Sequence, residues 1–426
     1  MKVLRYGDEG PIVELLQLAL NRAGFQSGDI DGIFGRRTFN AVENFQSENG
    51  LSRDGVVGKL TWAALYPYLS GYTLHVVAQG DTLYNIAAHH GASLQSVITA
   101  NVGVVPENLQ IGQQIVVPLP FAVVSGDVNY SSAYVTIILD GLCARYPFMS
   151  VRQFGTSVMG RQMLVATVGE GDKRVGFNAS HHANEWITTP LNLMFLETYL
   201  RAIAFEEEIY GFDARELFES TTLDMVPLVN PDGMDLVTGA IEPSDSYYQQ
   251  AKALAGFYPD IPFPDGWKAN IRGVDLNLGY PAGWEEARRI KFAQGYTRPG
   301  PRDFVGTAPL NEPENIAMAD LTIAGDYALT VSYHTQGAEI YWKFLDFDPP
   351  RAEEIGQQMA QSSGYALVDT PYSSGFAGYK DWFIQSYNRP GYTIEAGKGV
   401  NPLPLSDLSK LFEDNIGIFV IGLYLS

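Results

Sequence analysis

The residues best equipped for chemistry are His181-His182-Ala183-Asn184-Glu185-Trp186 and one late histidine, His334, in Val331-Ser332-Tyr333-His334-Thr335-Gln336. The chain has six histidines, and only His181, His182 and His334 lie beyond residue 90. His182-x-x-Glu185 with one distant imidazole supplies two nitrogens and a carboxylate. That set leaves the fourth corner of a tetrahedral zinc open to water, as a catalytic site requires and a structural site does not. The short motif alone also fits capping or core histidines, so its surroundings carry the argument. His182 has the His-x-x-Glu spacing, and His181 reads as its neighbour.

Those surroundings are strand ends. Val175-Gly176-Phe177-Asn178-Ala179 reads as a buried strand running into the His182/Glu185 pair, with a long helix over 190–204 behind it. A second apolar run, 327–331, leads to His334, and a third, Tyr392-Thr393-Ile394, ends in Glu395. Parallel neighbours would bring these ends together, where ligands of layered α/β folds gather. A carboxylate there is a natural general base for a zinc-activated water. Alone, Glu395 equally fits a solvated strand end. Lys268 and Arg272 are the cations available to face an oxyanion, and Asn277 offers an amide to hold substrate. Asn230-Pro231-Asp232-Gly233 reads as a structural turn.

At 426 residues the chain is too long for one ordinary core. Its formal net charge of -20 excludes the basic footprint of nucleic-acid binding and attraction to anionic lipid. Charge is unevenly divided: residues 1–70 hold 7 basic and 8 acidic residues, whereas 71–120 hold only Asp81 and Glu107. Cys143 is the only cysteine, so no intrachain disulfide forms. Residues 1–9 contain no apolar signal core, and no run reaches a membrane span. The expectation is a soluble chain made in the cytoplasm, with wall or spore association left open and no protein partner inferred.

The first 70 residues contain a repeat. Asp31-Gly32-Ile33-Phe34-Gly35-Arg36-Arg37-Thr38 matches Asp54-Gly55-Val56-Val57-Gly58-Lys59-Leu60-Thr61 position by position. Each Asp-Gly marks a tight turn and each Gly-x-x-Thr a helix start. Pro11 opens an earlier apolar-faced helix. This small three-helix bundle resembles the peptidoglycan-binding domain of wall hydrolases. Residues 71–120 read strand, helix, helix, strand: Gly80-Asp81-Thr82-Leu83 turns into the first helix and Ser93 caps the second. With Ile86-Ala87, Asn101 and Ile111-Gly112-Gln113, this resembles a LysM domain. The resemblance implies N-acetylglucosamine-containing glycans as partner, bound beside Gly80, Asp81 and Thr82.

Residues 121–426 resemble the zinc carboxypeptidase family. The resemblance rests on His182-Ala183-Asn184-Glu185-Trp186, Asn230-Pro231-Asp232-Gly233, Gly273-Val274-Asp275-Leu276-Asn277, Tyr333-His334 and Thr393-Ile394-Glu395, in that order. It implies His182, Glu185 and His334 as ligands of one Zn2+ per chain, Glu395 as base, and a mixed, mostly parallel sheet between helices (α/β/α). One position departs. Carboxypeptidases of the family follow the asparagine with an arginine that grips the substrate's terminal carboxylate, a task suited to a planar guanidinium; here it is Leu278. The family's lid tyrosine is also displaced, with Ile384 at the expected place and Tyr379 as a substitute. Two glycan-directed modules before such a peptidase resemble the bacterial γ-D-glutamyl-diaminopimelate peptidases. The expected reaction is hydrolysis of the γ-D-glutamyl–meso-diaminopimelate bond of peptidoglycan stem peptides. A carboxypeptidase removing D-Ala or an L-residue, and an inactive wall-binding protein, are the alternatives.

Overall fold

The computed structural model describes residues 2–426. It contains two compact units, one ending at Ser150 and the other Val151–Ser426.

The first unit opens with helices Pro11–Arg22, Arg36–Glu48 and Lys59–Ser70. The first helix buries Val13, Leu15, Leu16, Leu18, Ala19 and Leu20. The repeat has a physical cause. Gln17, 1% exposed, donates from Nε2 to Asp31 Oδ1 at 2.8 Å and accepts at Oε1 from the Asp31 and Gly32 amides. Gln46, also 1% exposed, repeats this with Asp54 Oδ1 at 3.0 Å and the Asp54 and Gly55 amides. Each glutamine pins an Asp-Gly turn to a helix, satisfying buried groups that would otherwise destabilise the bundle. Gly55 has φ +66, and an added Cβ would strike the Phe39 ring, so only glycine suits that turn.

Strand β1 (Tyr72–Val76) pairs antiparallel with β2 (Gln114–Pro118). Between them lie helices Leu83–His89 and Leu94–Ala100; of Asp81 and Thr82 it is Thr82 that caps the first, its Oγ1 accepting from Asn85 N at 3.1 Å, and Ser93 caps the second as expected, its Oγ accepting from Ser96 N at 3.0 Å. Ile86, Val97, Ile115 and Val117 close the small core. A further helix, Ser132–Arg145, unread in the sequence, packs on Lys59–Ser70, where Gly141 lies against the Ser70 carbonyl with no room for a side chain.

The second unit is built on β3 (Met149–Thr156), β4 (Gln162–Val168), β5 (Lys173–Ala179), a small hairpin β6 (Glu208–Ile209) and β7 (Phe212–Asp213), then β8 (Thr221–Val226), β9 (Leu329–His334), β10 (Glu339–Tyr341), β11 (Ala366–Val368) and β12 (Gly391–Glu395). Eight of these form one sheet in the order β11-β10-β12-β9-β5-β8-β4-β3. The central run β12-β9-β5-β8 is parallel, and β10 and β4 join it antiparallel. Strands β8 and β9 are buried at every residue, as parallel strands covered on both faces must be. Helices Thr188–Phe205 and Leu408–Tyr424 pack together, and the Phe419 ring lies 4.3 Å from Phe195, 4.5 Å from Tyr333 and 5.7 Å from Phe177. A separate apolar cluster joins Met163 and Val165 of β4 to helices Pro313–Gly325 and Tyr379–Tyr387. Among the described residues no helix is long and apolar enough to cross a membrane.

Candidate metal centre

Three strand ends meet, as the sequence pattern requires. In the parallel pair β9/β12, His334 stands directly across from Glu395, and in β5/β9 Ala179 stands across from Tyr333. The chain leaves β5 through Ser180 at φ 55 and delivers His182 and Glu185 within one short turn, Ala183–Glu185. The Asn230 amide secures that turn by donating to the His181 carbonyl at 3.1 Å and the Ala269 carbonyl at 3.0 Å. Asn230-Pro231-Asp232-Gly233 is therefore structural, but it caps a helix, Pro231–Val237, and does not form a free turn.

His182, Glu185 and His334 form the one group of metal-capable side chains found among the described residues, with ligand atoms within 4.8 Å of one another. His182 Nδ1 lies 3.0 Å from Glu185 Oε1, His334 Nδ1 lies 2.9 Å from Glu185 Oε2, and the two Nδ1 atoms are 3.1 Å apart. Donors about 2.1 Å from a tetrahedral zinc are separated by about 3.4 Å, so a slight expansion admits the ion. The outer nitrogen of His182 is held as in metal-binding imidazoles, by a carboxylate, whereas that of His334 faces an amide donor. His182 Nε2 lies 3.0 Å from Asp275 Oδ1, and His334 Nε2 lies 3.4 Å from Asn277 Nδ2. The donor set fits zinc.

Charge follows the same pattern. Burial opposes ionisation of Glu185, but His182 and Lys268 outweigh it and hold the carboxyl well below its ordinary range. Burial, then the nearby Glu185 carboxylate, push Glu395 up to about 8. A cation among the ligands would draw it down again. Burial holds His181 neutral; its Nε2 meets the Tyr280 hydroxyl at 3.0 Å and its ring stacks on His334 at 5.8 Å. It is a neighbour of the ligands, as the spacing indicates.

Two cavities flank the ligands. One of about 190 Å³ is lined by His182, Asn277, Leu278, Lys380 and Thr393; the other, about 550 Å³, by Asn184, Thr335, Gly399 and Asn401. Lys268, Arg302, Tyr341 and Glu395 line both. Glu395 thus borders both cavities, and Leu278, 8% exposed, forms apolar wall in the smaller.

Two sequence expectations are corrected. Arg272 does not reach the centre: its side chain is 56% exposed and pairs with Glu312 at 3.5 Å. Lys268 is the cation that arrives, 2.9 Å from Glu185 Oε1. Tyr379 is no lid. Its side chain is 1% exposed, its hydroxyl is held by Thr322 at 2.8 Å, and only its amide approaches the site, donating to Asn277 Oδ1 at 3.0 Å. The aromatic hydroxyl lining both cavities is Tyr341, which donates to Glu339 Oε2 at 2.8 Å.

Sequence reasoning passed over Asp275, although it lies in a quoted motif. An acid two residues before Asn277 was the available signal. Arg302 and Lys291 were also missed. Both converge on Asp303, Arg302 Nε at 2.6 Å and Lys291 Nζ at 2.6 Å, from segments with no motif. In the first unit, Asp81 Oδ2 accepts from Ala78 N at 2.7 Å and lies 2.9 Å from His75 Nε2, so the Gly80–Thr82 turn is braced.

Three family models match the chain: zinc carboxypeptidase over residues 135–416, a peptidoglycan binding domain over 9–65, and a LysM domain over 75–118. The chain is 41% identical over 307 residues to gamma-D-glutamyl-L-diamino acid endopeptidase 1 of Lysinibacillus sphaericus, covering 72% of this chain and 75% of that protein. It is 34% identical over 343 residues to the uncharacterized protein YqgT of Bacillus subtilis, covering 80% and 87%. In fold it is similar to the carboxypeptidase A of Helicoverpa armigera, with a TM-score of 0.55 at 20% identity over 70% of this chain and 73% of that one.

Proposed function

The chain belongs to the zinc carboxypeptidase family, and on that premise we propose that this metallopeptidase hydrolyses the γ-D-glutamyl–meso-diaminopimelate bond of peptidoglycan stem peptides. The observation that carries the bond assignment is the 41% identity, over most of the chain, to a relative named as a gamma-D-glutamyl-L-diamino acid endopeptidase. Leu278 agrees with it: a leucine cannot itself pair with a terminal carboxylate, where carboxypeptidases of the family carry an arginine.

His182 Nδ1, Glu185 and His334 Nδ1 would hold one zinc ion per chain. When bound, zinc supplies Lewis acidity, polarising the scissile carbonyl and acidifying water. Glu395 takes the proton of the attacking water at its carboxylate and hands it to the departing diaminopimelate amine. The Lys268 ammonium stabilises the oxyanion of the tetrahedral intermediate, and Asn277 orients the substrate beside it.

We read the chain as three modules, 1–70, 71–120 and 121–426. The first two concentrate the enzyme on the wall. Because the chain is acidic, that attachment depends on shaped glycan sites, with the Gly80-Asp81-Thr82 turn as one wall of the LysM groove. The test is digestion of purified muropeptides with zinc-loaded protein and identification of products by mass. Fragments ending in γ-D-glutamate, with release of diaminopimelate-containing peptide, are expected. Release of D-Ala alone would assign a carboxypeptidase, and no product would assign an inactive wall-binding protein.

A further inference from the structure

The smaller cavity carries an ion pair that zinc binding and proton transfer do not use. Lys380 and Asp381, at the start of helix Tyr379–Tyr387, have side chains only 4% exposed, and Lys380 Nζ lies 2.6 Å from Asp381 Oδ1. Asp381 Oδ2 accepts from the Gly378 amide at 3.1 Å, and Lys380 also donates to the Lys343 carbonyl at 2.7 Å. Both residues line the cavity that also holds His182, Leu278 and Glu395.

Stability alone is a weak reason for this pair, because removing two charges from water costs about as much as their attraction returns. The helix cap requires the aspartate only. A lysine ammonium has a third donor beyond the two used here. Four cations, Lys268, Lys291, Arg302 and Lys380, and four carboxylates, Asp275, Asp303, Asp381 and Glu395, line this one cavity, which suits a group that carries both charges.

We propose that Lys380 is a specificity-determining residue. It pairs with the far carboxylate of the diamino acid side chain on the leaving side of the scissile bond, and Asp381 receives the ammonium of the same centre. The substrate class is a residue whose side chain ends in an amino-acid zwitterion. The inference rests on the peptidase reading above. A zwitterion presents the pair with its own charges reversed, so both desolvated groups gain partners. A lysine at that position lacks the carboxylate and leaves Lys380 unanswered, the kind of mismatch that polar pockets reject strongly.

The test compares L-Ala-γ-D-Glu-meso-diaminopimelate with L-Ala-γ-D-Glu-L-Lys, which differ at the side chain by that carboxylate. Zinc-loaded full-length protein is expected to prefer the first in kcat/KM by roughly 10- to 100-fold, the range for one hydrogen bond to a charged group. In Lys380→Met the preference disappears because the diaminopimelate substrate alone slows, while Lys380→Arg retains part of it. The double variant Lys380→Met/Asp381→Asn leaves no lone buried charge and gives the same loss of preference. Equal slowing of both substrates, an unchanged preference in the variants, or a wild type indifferent to the carboxylate would overturn the assignment while leaving the peptidase reading intact. A wild type that cuts neither substrate at the γ-D-glutamyl bond would overturn that reading, and this assignment with it.

Discussion

His182 Nε2 donates to Asp275 Oδ1 at 3.0 Å, and this contact decides that Nδ1 faces the metal centre. Asp275 is itself held, accepting the Asp303 amide at 3.1 Å on its other oxygen. The carboxylate therefore fixes both the tautomer and the ring orientation of a ligand it never shares with the ion.

Replacing Asp275 with Asn should preserve the fold and weaken zinc binding by about 10- to 100-fold, the usual cost of losing such a partner. Competition against a chromophoric chelator measures it. Wild-type affinity in the variant would remove Asp275 from the account.

Glu395→Gln should retain zinc and lose activity by about 10²- to 10⁴-fold, because the proton acceptor and donor are one group. Metal content and muropeptide turnover, measured on the same preparation, separate the two effects. Turnover near wild type would refute the assigned role.

Much of this was readable in advance for a local reason. Chemistry-bearing side chains at the ends of apolar strands announce themselves by adjacency: Ala179 precedes His182, and β9 and β12 end on His334 and Glu395. Parallel pairing then brings them together with no further information. Tyr379 and Arg272 misled because distance along the chain does not say which way a side chain turns. The Tyr379 hydroxyl goes inward to Thr322 and the Arg272 guanidinium outward to Glu312. Arg302 and Tyr341 reach both cavities from segments whose local pattern carries no chemistry. The Asp-Gly repeat was visible, but its cause was not, since Gln17 and Gln46 look like ordinary surface residues until burial is known.

Gln17→Ala should therefore destabilise the first unit by roughly 1–3 kcal/mol, the cost of leaving buried partners unsatisfied. The exposed Gln26→Ala should change stability by less than about 0.5 kcal/mol. Urea unfolding of the full chain, followed by a probe in the helical bundle, gives both values. Equal effects would contradict the pinning role.

Glu314 provides a pH test away from the metal ligands. It is fully buried, and burial raises its carboxyl to about 7 despite hydrogen bonds from Val158 N and Asn270. A raised carboxyl pKa means that the folded state holds the proton more tightly than the unfolded one. Its contribution is complete below the ordinary value of 4.5 and is lost as pH rises through about 7. Between those limits the wild-type Tm should fall relative to that of Glu314→Gln. A constant difference across that window would show that the group does not titrate there.

The most direct measurement is anomalous diffraction at the zinc edge from crystals of the zinc-loaded protein. One peak is expected, about 2.0–2.2 Å from His182 Nδ1, Glu185 and His334 Nδ1, with Glu395 facing the side left open. A peak held by other residues, or none at this triad under saturating zinc, would contradict the account.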